Sequence, residues 1–226
     1  KTLQTIFITL TAILYLTSCE ESKNIDFGKY EVVQPKNAEL KGEREFGINV
    51  SSSKYGFDAS FSAATKAGIQ LIELNLPWSS IEHSEGEYTN PNNVLTDISY
   101  YGNNNVKVGL CLSVINTVKW EVPAYLADVD IASADFVNAF TNMFDWVMQQ
   151  IPENVTISHI SIGNEVDFVL ETEDDWNDYI IFYKQAVEHI KSGYPELTVG
   201  VKTTIMDGVF GDNLGYIKQI NAFSDV

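Results

Sequence analysis

The sequence predicts an α/β fold, because short apolar strands alternate with amphipathic helices and each strand–helix unit takes about 30 to 45 residues. This alternation is typical of right-handed βαβ units around a parallel sheet. The composition, 45% hydrophobic and 12% aromatic, is that of a globular chain and argues against disorder. The unit length and the polar ends of the strands favour a (β/α)8 TIM barrel that is incomplete.

Five apolar segments have the length and β-branched character of strands. They lie at residues 46–51, 70–76, 106–115, 156–163 and 198–205, and the segment at 220–226 resembles the approach to a sixth strand. Helical patterns lie between them at residues 58–67, 91–102, 135–150 and 174–192. We therefore expect about five βα units and the start of a sixth.

The last two helices have the clearest patterns. In the segment 135–150 and at Ile151 directly after it, apolar residues fall on one helical face, at positions 137, 140, 144, 147 and 151. The segment 174–192 follows Thr172 and Asp175, which are spaced as a capping box, and ends near Gly193 with Pro195 beyond. These boundaries predict two long helices.

A doubly wound sheet is the competing architecture. The junction after the first strand, "INVSSSKYGFD", lacks the Gly-x-Gly-x-x-Gly fingerprint, and no phosphate-binding Gly-x-x-x-x-Gly-Lys-Ser/Thr occurs. This makes nucleotide binding less favoured without excluding it. A complete barrel needs about 250 residues, so residues 44–226 are expected to form a barrel whose sheet does not close.

The N-terminal segment predicts export. Lys1 precedes the apolar run "LQTIFITLTAILYL", which has the length of a signal-peptide core. The following "LTSC" resembles the bacterial lipobox, so we expect a signal peptide at 1–18, lipidation of Cys19 and a polar tether at 19–43. Glu20 and Glu21 resemble the export signal of Bacteroidetes surface lipoproteins, which implies an outer-membrane or cell-surface location. An ordinary cleaved signal peptide and an internal hydrophobic helix are the alternatives.

Charge and residue spacing exclude several partner classes. The chain has 14 basic and 31 acidic side chains, a net charge of −17, which is unsuited to binding nucleic acid. Its three histidines lack metal-ligand spacing, and the sequence indicates no metal and no cofactor. Cys111 lies in an apolar strand and is expected to fill the core.

Candidate binding residues follow the strands, where ligand sites of βα folds lie. Most are amides and indoles, and Glu165 is a carboxylate directly after the fourth strand. Indole faces stack on sugar rings while amides and carboxylates bind hydroxyl groups, so the pattern predicts a polysaccharide or oligosaccharide as partner. The predicted binding residues are Asn49, Trp78, Asn116, Trp120 and Asn164.

Three segments resemble retaining glycoside hydrolases of clan A, and the endo-β-1,4-galactanase-like enzymes among them. "IELNLPWSSIEHSEGEYTNP" is similar to their second-strand segment, and "ISIGNEVD" to the fourth strand that carries an Asn-Glu pair. "YIIFYKQAVEHIKSGYPELTVGVKTT" resembles their helix before the fifth strand. The resemblance covers residues 44–226.

The resemblance implies that Glu165 is the general acid/base and that Asn164 binds the 2-hydroxyl of the sugar. The nucleophile of such enzymes follows a seventh strand, so it is expected beyond Val226 and this chain alone is expected to be inactive. Glu165 as a structural carboxylate at a helix start is the alternative role. A non-catalytic glycan-binding lipoprotein is the alternative function, and a phosphate-binding aldolase-like barrel is a remote third.

Overall fold

A computed structural model describes residues 44–206 and 210–225. The predicted signal peptide, Cys19 and the tether, residues 1–43, lie outside the described residues. Within the described part of the chain, no helix has both the length and the apolar character needed to cross a membrane.

Four parallel strands form the main sheet. In sheet order they are β1 (Leu71–Pro77), β4 (Lys107–Asn116), β6 (Ile157–Asn164) and β7 (Thr198–Gly200). The short strands β2 (Glu82–Ser84) and β3 (Glu87–Tyr88) form a separate hairpin. A third short strand, β5 (Lys119–Trp120), turns back antiparallel on the end of β4.

Helices connect the parallel strands. In chain order they are α1 (Phe57–Lys66), α2 (Trp78–Ile81), α3 (Val94–Asp97), α4 (Ser99–Asn103), α5 (Ala134–Gln150), α6 (Glu173–Gly193) and α7 (Leu214–Asn221). Short 3-10 turns lie at Pro91–Asn93, Ala124–Leu126 and Val166–Phe168.

The long helices α5 and α6 begin where the sequence predicts. Ser133 caps α5 by accepting a hydrogen bond from the backbone N–H of Phe136. Thr172 and Asp175 form the full capping box of α6. Each cap satisfies N–H groups that the first helical turn leaves without partners.

The core lies between the sheet and the helices. On this side, the strands contribute aliphatic side chains such as Leu110, Leu112 and Ile160, and the helices contribute aromatic ones such as Phe140 and Phe182. Nearly every residue of β4 is buried, as expected for a central parallel strand. The opposite side of the sheet, here called the inner face, carries polar side chains, and these form the candidate site.

Three predicted elements differ from the structure. The first predicted strand is reduced to an isolated parallel bridge between Gly47 and Leu71. The helix predicted at 91–102 is interrupted because Asn92 and Asn93 adopt left-handed φ values of 51° and 58°. The last predicted strand ends early, at Gly200.

The chain returns to the sheet after α7. The backbone N–H of Asp225 donates to the carbonyl of Val199 at 2.9 Å, and the N–H of Val199 donates to the Asp225 carboxylate at 3.0 Å. These hydrogen bonds place the predicted approach to a sixth strand beside β7.

Candidate active site

Three charged or titratable side chains meet on the inner face. The carboxylate of Glu73, on β1, pairs with the ammonium group of Lys202, which follows β7, and its Oε2 lies 3.2 Å from Nε2 of His159 on β6. Gly109 of β4 lies in register between Glu73 and His159. A Cβ atom at Gly109 would collide with the His159 ring, so this glycine allows the imidazole to reach across the strand.

The electrostatics of this group keep Glu73 ionised. The pKa of its carboxyl group lies below the usual value, chiefly because of the hydrogen bond with His159; burial opposes this effect and Lys202 reinforces it. Cys111 lies on the same face of β4 and is fully buried, as predicted, and burial raises the pKa of its thiol. That thiol is therefore a poor nucleophile.

An amide cluster spans the carboxyl ends of three neighbouring strands. Oδ1 of Asn116, at the end of β4, accepts hydrogen bonds from Nδ2 of Asn75 on β1 and from Nδ2 of Asn164 on β6, each at 3.1 Å. Ser113 donates to the amide oxygen of Asn75 from below. The structure thus brings together Asn116 and Asn164, two of the predicted binding residues, with Asn75.

Glu165 follows this cluster directly and is half-buried. Its backbone is left-handed, with φ 53° and ψ 47°, a conformation that costs a residue other than glycine about 1–2 kcal/mol. Its Oε2 accepts a hydrogen bond from the Thr117 hydroxyl at 2.8 Å. Thr117 is also left-handed and donates its own N–H to the carbonyl of Asn164 at 2.8 Å.

The segment after Glu165 is tied to the end of β7. The N–H of Val166 donates to the carbonyl of Lys202 at 3.2 Å. The buried carboxylate of Asp167 accepts hydrogen bonds from the backbone N–H of Thr204 at 2.9 Å and from its hydroxyl at 2.5 Å. These contacts hold the strained Glu165 backbone between two strand ends, and they engage both oxygens of Asp167.

The structure contradicts the role predicted for Trp78. Its side chain is 0% exposed, and its indole packs edge-on against Phe136 and Phe140. Its Nε1 donates at 2.7 Å to the buried carboxylate of Glu82, which also accepts from the N–H of Gly86 and the hydroxyl of Tyr125. The prediction of a sugar-stacking role for Trp78 is therefore wrong, because no ligand can reach its faces; the residue anchors the loop after β1.

The side chains of the other two predicted binding residues make no hydrogen bond to the amide cluster within the described residues. Trp120 is 41% exposed and lines a cavity of about 320 Å³ with Val122, Leu126 and Phe136. Asn49 uses its amide oxygen to accept from the backbone N–H of Glu73 at 3.2 Å. The β4–β5 ladder nevertheless pairs Trp120 with Ile115, the residue before Asn116.

Sequence reasoning missed two contributors to the site. Thr117 has no motif, and its role depends on the left-handed turn after β4. The Glu73–Lys202 pair joins side chains 129 positions apart, and the period-2 placement of Glu73 and Asn75 on one face of β1 was the available indication. Within the described residues, no group of three or more His, Cys, Asp and Glu side chains could hold a metal ion.

Comparison with known proteins gives structural likeness at low sequence identity. No protein-family model matches the chain, and no curated protein does. An exo-β-1,4-mannosidase from Opitutaceae bacterium strain TAV5 superposes with a TM-score of 0.57 at 15% identity, over 74% of this chain and 32% of that protein. A family 39 glycoside hydrolase from Bacteroides cellulosilyticus WH2 gives 0.58 at 16% identity, over 79% and 36%.

A third similar structure is a family 5, subfamily 18 glycoside hydrolase from Bifidobacterium longum in complex with Manβ1-4GlcNAc. Its TM-score is 0.58 at 12% identity, over 74% of this chain and 44% of that protein. The chain therefore spans less than half the length of these proteins. The parallel sheet, its βα units and this likeness confirm the predicted fold class: the chain has the fold of part of a (β/α)8 barrel.

Proposed function

We propose that this chain carries the acid/base half of a glycoside hydrolase that cleaves O-glycosidic bonds in a neutral or weakly charged polysaccharide. The observation that supports it best is the position of Glu165. A half-buried carboxylate follows the end of a central parallel strand, with one oxygen bonded to Thr117 and the amide of Asn164 beside it in the chain. Barrel enzymes place catalytic groups at this edge of the sheet.

In the proposed reaction Glu165 protonates the glycosidic oxygen as the leaving group departs and then removes a proton from the attacking water. The Thr117 hydroxyl orients the carboxylate by donating to Oε2, which leaves Oε1 for the substrate. Asn164 binds the 2-hydroxyl of the sugar. The glycosidases among the similar structures support hydrolysis of glycosidic bonds as the reaction class.

A retaining mechanism needs a second carboxylate about 5–5.5 Å from the first. Glu73 is unsuited to be this nucleophile, because Lys202 and His159 already occupy its oxygens. Both oxygens of Asp167 are bound to Thr204. We propose that the nucleophile follows Val226 in a longer protein, at the end of a later strand.

The test is Glu165→Gln in the protein expressed from its complete gene, with Glu171→Gln, an exposed carboxylate six residues further on, as the matched control. Turnover of β-1,4-mannan and β-1,4-galactan should fall by about 10²–10⁴. The loss should be smaller for a 2,4-dinitrophenyl glycoside, whose leaving group needs little protonation. Unchanged turnover on both substrate types would remove Glu165 from the mechanism.

The second candidate function is a non-catalytic glycan-binding protein. It is favoured by the fact that Asp167 and Glu73, the nearby carboxylates considered above, are both engaged in structural contacts. The complete gene distinguishes the two functions: a Glu after a seventh strand supports the hydrolase, and another residue there in an otherwise intact barrel supports the binding protein.

We also propose that the protein is a lipoprotein anchored in the outer membrane or at the cell surface through Cys19. The proposal is supported by "LTSC" after an apolar run and by the acidic residues that follow. Cys19→Ala should transfer the protein from the membrane fraction to the soluble fraction, whereas Cys111→Ala should not. Membrane retention of the Cys19 variant would contradict lipidation at this residue.

A further inference from the structure

The helical side of the sheet contains a cavity that shares no residue with the amide cluster or with Glu165. It has a volume of about 510 Å³ and lies between α1 and the α3–α4 segment, with Leu74 of β1 among its lining residues. This volume lies in the range of small-ligand sites, about 300–1,000 Å³. We call it the outer-wall pocket.

Three aromatic rings line this pocket and stand at steep angles to one another. The rings of Phe57 and Tyr100 are 5.9 Å apart at 62°, those of Phe57 and Tyr101 are 6.5 Å apart at 73°, and those of the two tyrosines are 5.9 Å apart at 81°. Tyr100 is 38% exposed. The rings thus form inclined walls, and Tyr100, whose other ring contact is Phe61 at 4.9 Å and 63°, offers its exposed part to an apolar partner.

Polar groups of the same pocket lack partners. The carboxylates of Asp58 and Asp97 and the hydroxyls of Tyr100 and Tyr101 make no hydrogen bond or ion pair to any of the residues that the structure describes. Carboxylates accept two hydrogen bonds on each oxygen, and phenols donate and accept. The pocket therefore combines apolar ring faces with unused groups that can bind hydroxyls.

We propose that the outer-wall pocket is a second glycan-binding site that takes one or two uncharged pyranose residues of a polysaccharide. The C–H face of a sugar ring packs on Tyr100, and its hydroxyl groups donate to Asp58 and Asp97. The site goes beyond the proposed catalytic function and does not depend on it. In a lipid-anchored hydrolase this pocket would hold the polysaccharide near the barrel while the site around Glu165 acts on another part of the same polysaccharide.

The experiment uses the full chain labelled with 3-fluorotyrosine, titrated with mannohexaose and, separately, cellohexaose, both β-1,4-linked. The Tyr100 fluorine signal is assigned by its absence in Tyr100→Phe. We expect this signal to shift saturably with at least one of the two sugars. No shift with either hexasaccharide would overturn the proposal.

Calorimetry on variants locates the site. For the sugar that shifts the Tyr100 signal in the wild type, calorimetry should show that Tyr100→Ala weakens binding about five- to tenfold. Tyr100→Phe keeps the ring and should keep most of the affinity. Asp97→Asn, a change at an exposed position, should weaken binding about two- to fivefold without affecting folding. Asn116→Ala should leave the outer-wall affinity unchanged.

Equal affinities in the wild type, Tyr100→Ala and Asp97→Asn, or a loss confined to Asn116→Ala, would overturn the second site. Failure of the catalytic proposal gives a different result: Glu165→Gln would retain turnover while the Tyr100 titration stayed positive. The two proposals can therefore fail independently.

Discussion

Thr117 donates its hydroxyl to Oε2 of Glu165 at 2.8 Å, and both residues adopt left-handed backbone conformations at the ends of adjacent strands. The strain of each backbone is offset by a hydrogen bond to the end of an adjacent strand, β6 for Thr117 and β7 for Glu165. Thr117 donates its N–H to Asn164, and Val166 donates to Lys202. The orientation of the proposed acid/base thus depends on a neighbouring strand.

We predict that Thr117→Val lowers kcat of the complete protein about tenfold with little change in KM, because a hydrogen bond to a charged group contributes about 1.5–3 kcal/mol. Thr117→Ser should restore most of the activity, since it keeps the donor. Steady-state kinetics on one glycoside measure both effects. Equal losses in the Val and Ser variants would indicate a packing role for the Thr methyl group instead.

Gly163→Ala should lower both activity and stability. Gly163 has φ +95°, and an added Cβ would lie 2.6 Å from Cγ1 of Val166. Gly68→Ala is the matched control, because Gly68 has a similar φ of +86° with no atom near the added methyl. Backbone strain should lower the free energy of unfolding of both variants by about 1 kcal/mol. The clash should lower that of Gly163→Ala by about 1–3 kcal/mol more. Urea denaturation measures the difference.

Glu73→Gln should destabilise the fold by about 1–3 kcal/mol at pH 7, because it removes the charge that pairs with Lys202 and His159. The folded-state pKa of Glu73 is lowered, so its contribution is present above the unfolded-state pKa and is lost as the pH falls through the folded-state pKa. The stability difference between wild type and variant should therefore shrink below about pH 4. A difference that is the same at pH 7 and pH 3.5 would contradict this.

Glu82→Ala should lower the free energy of unfolding by about 3 kcal/mol, because it removes the acceptor of the buried Trp78 N–H, of the half-buried Tyr125 hydroxyl and of the exposed Gly86 N–H. Glu82→Gln should cost less, since it keeps an amide oxygen in place. Glu85→Gln changes an exposed carboxylate in the same loop and should be neutral. Thermal unfolding followed by Trp fluorescence ranks the three variants.

The sequence predicts the positions of β1, β4 and β6 and of the two long helices, because burial and capping leave periodic patterns that are local in the chain. It also predicts that Asn116 and Asn164 converge, because each residue lies at the carboxyl end of a strand in the same parallel sheet. The prediction fails for Trp78, because the local sequence around a Trp that follows a strand is the same whether the indole faces a cleft or the core. The contact between Glu73 and Lys202 depends on strand register and tilt, which no local pattern records.

The amide oxygen of Asn116 accepts two hydrogen bonds, and this orders the donors and acceptors of the amide cluster. Its amide oxygen is occupied by Asn75 and Asn164, so a ligand meets Asn116 through its N–H groups. The amide nitrogen of Asn164 donates to Asn116 and Thr117, so a ligand meets Asn164 through its amide oxygen. A ligand that crosses from the β4 end to the β6 end therefore meets first a donor and then an acceptor, so a hydroxyl group beside Asn116 accepts a hydrogen bond and one beside Asn164 donates.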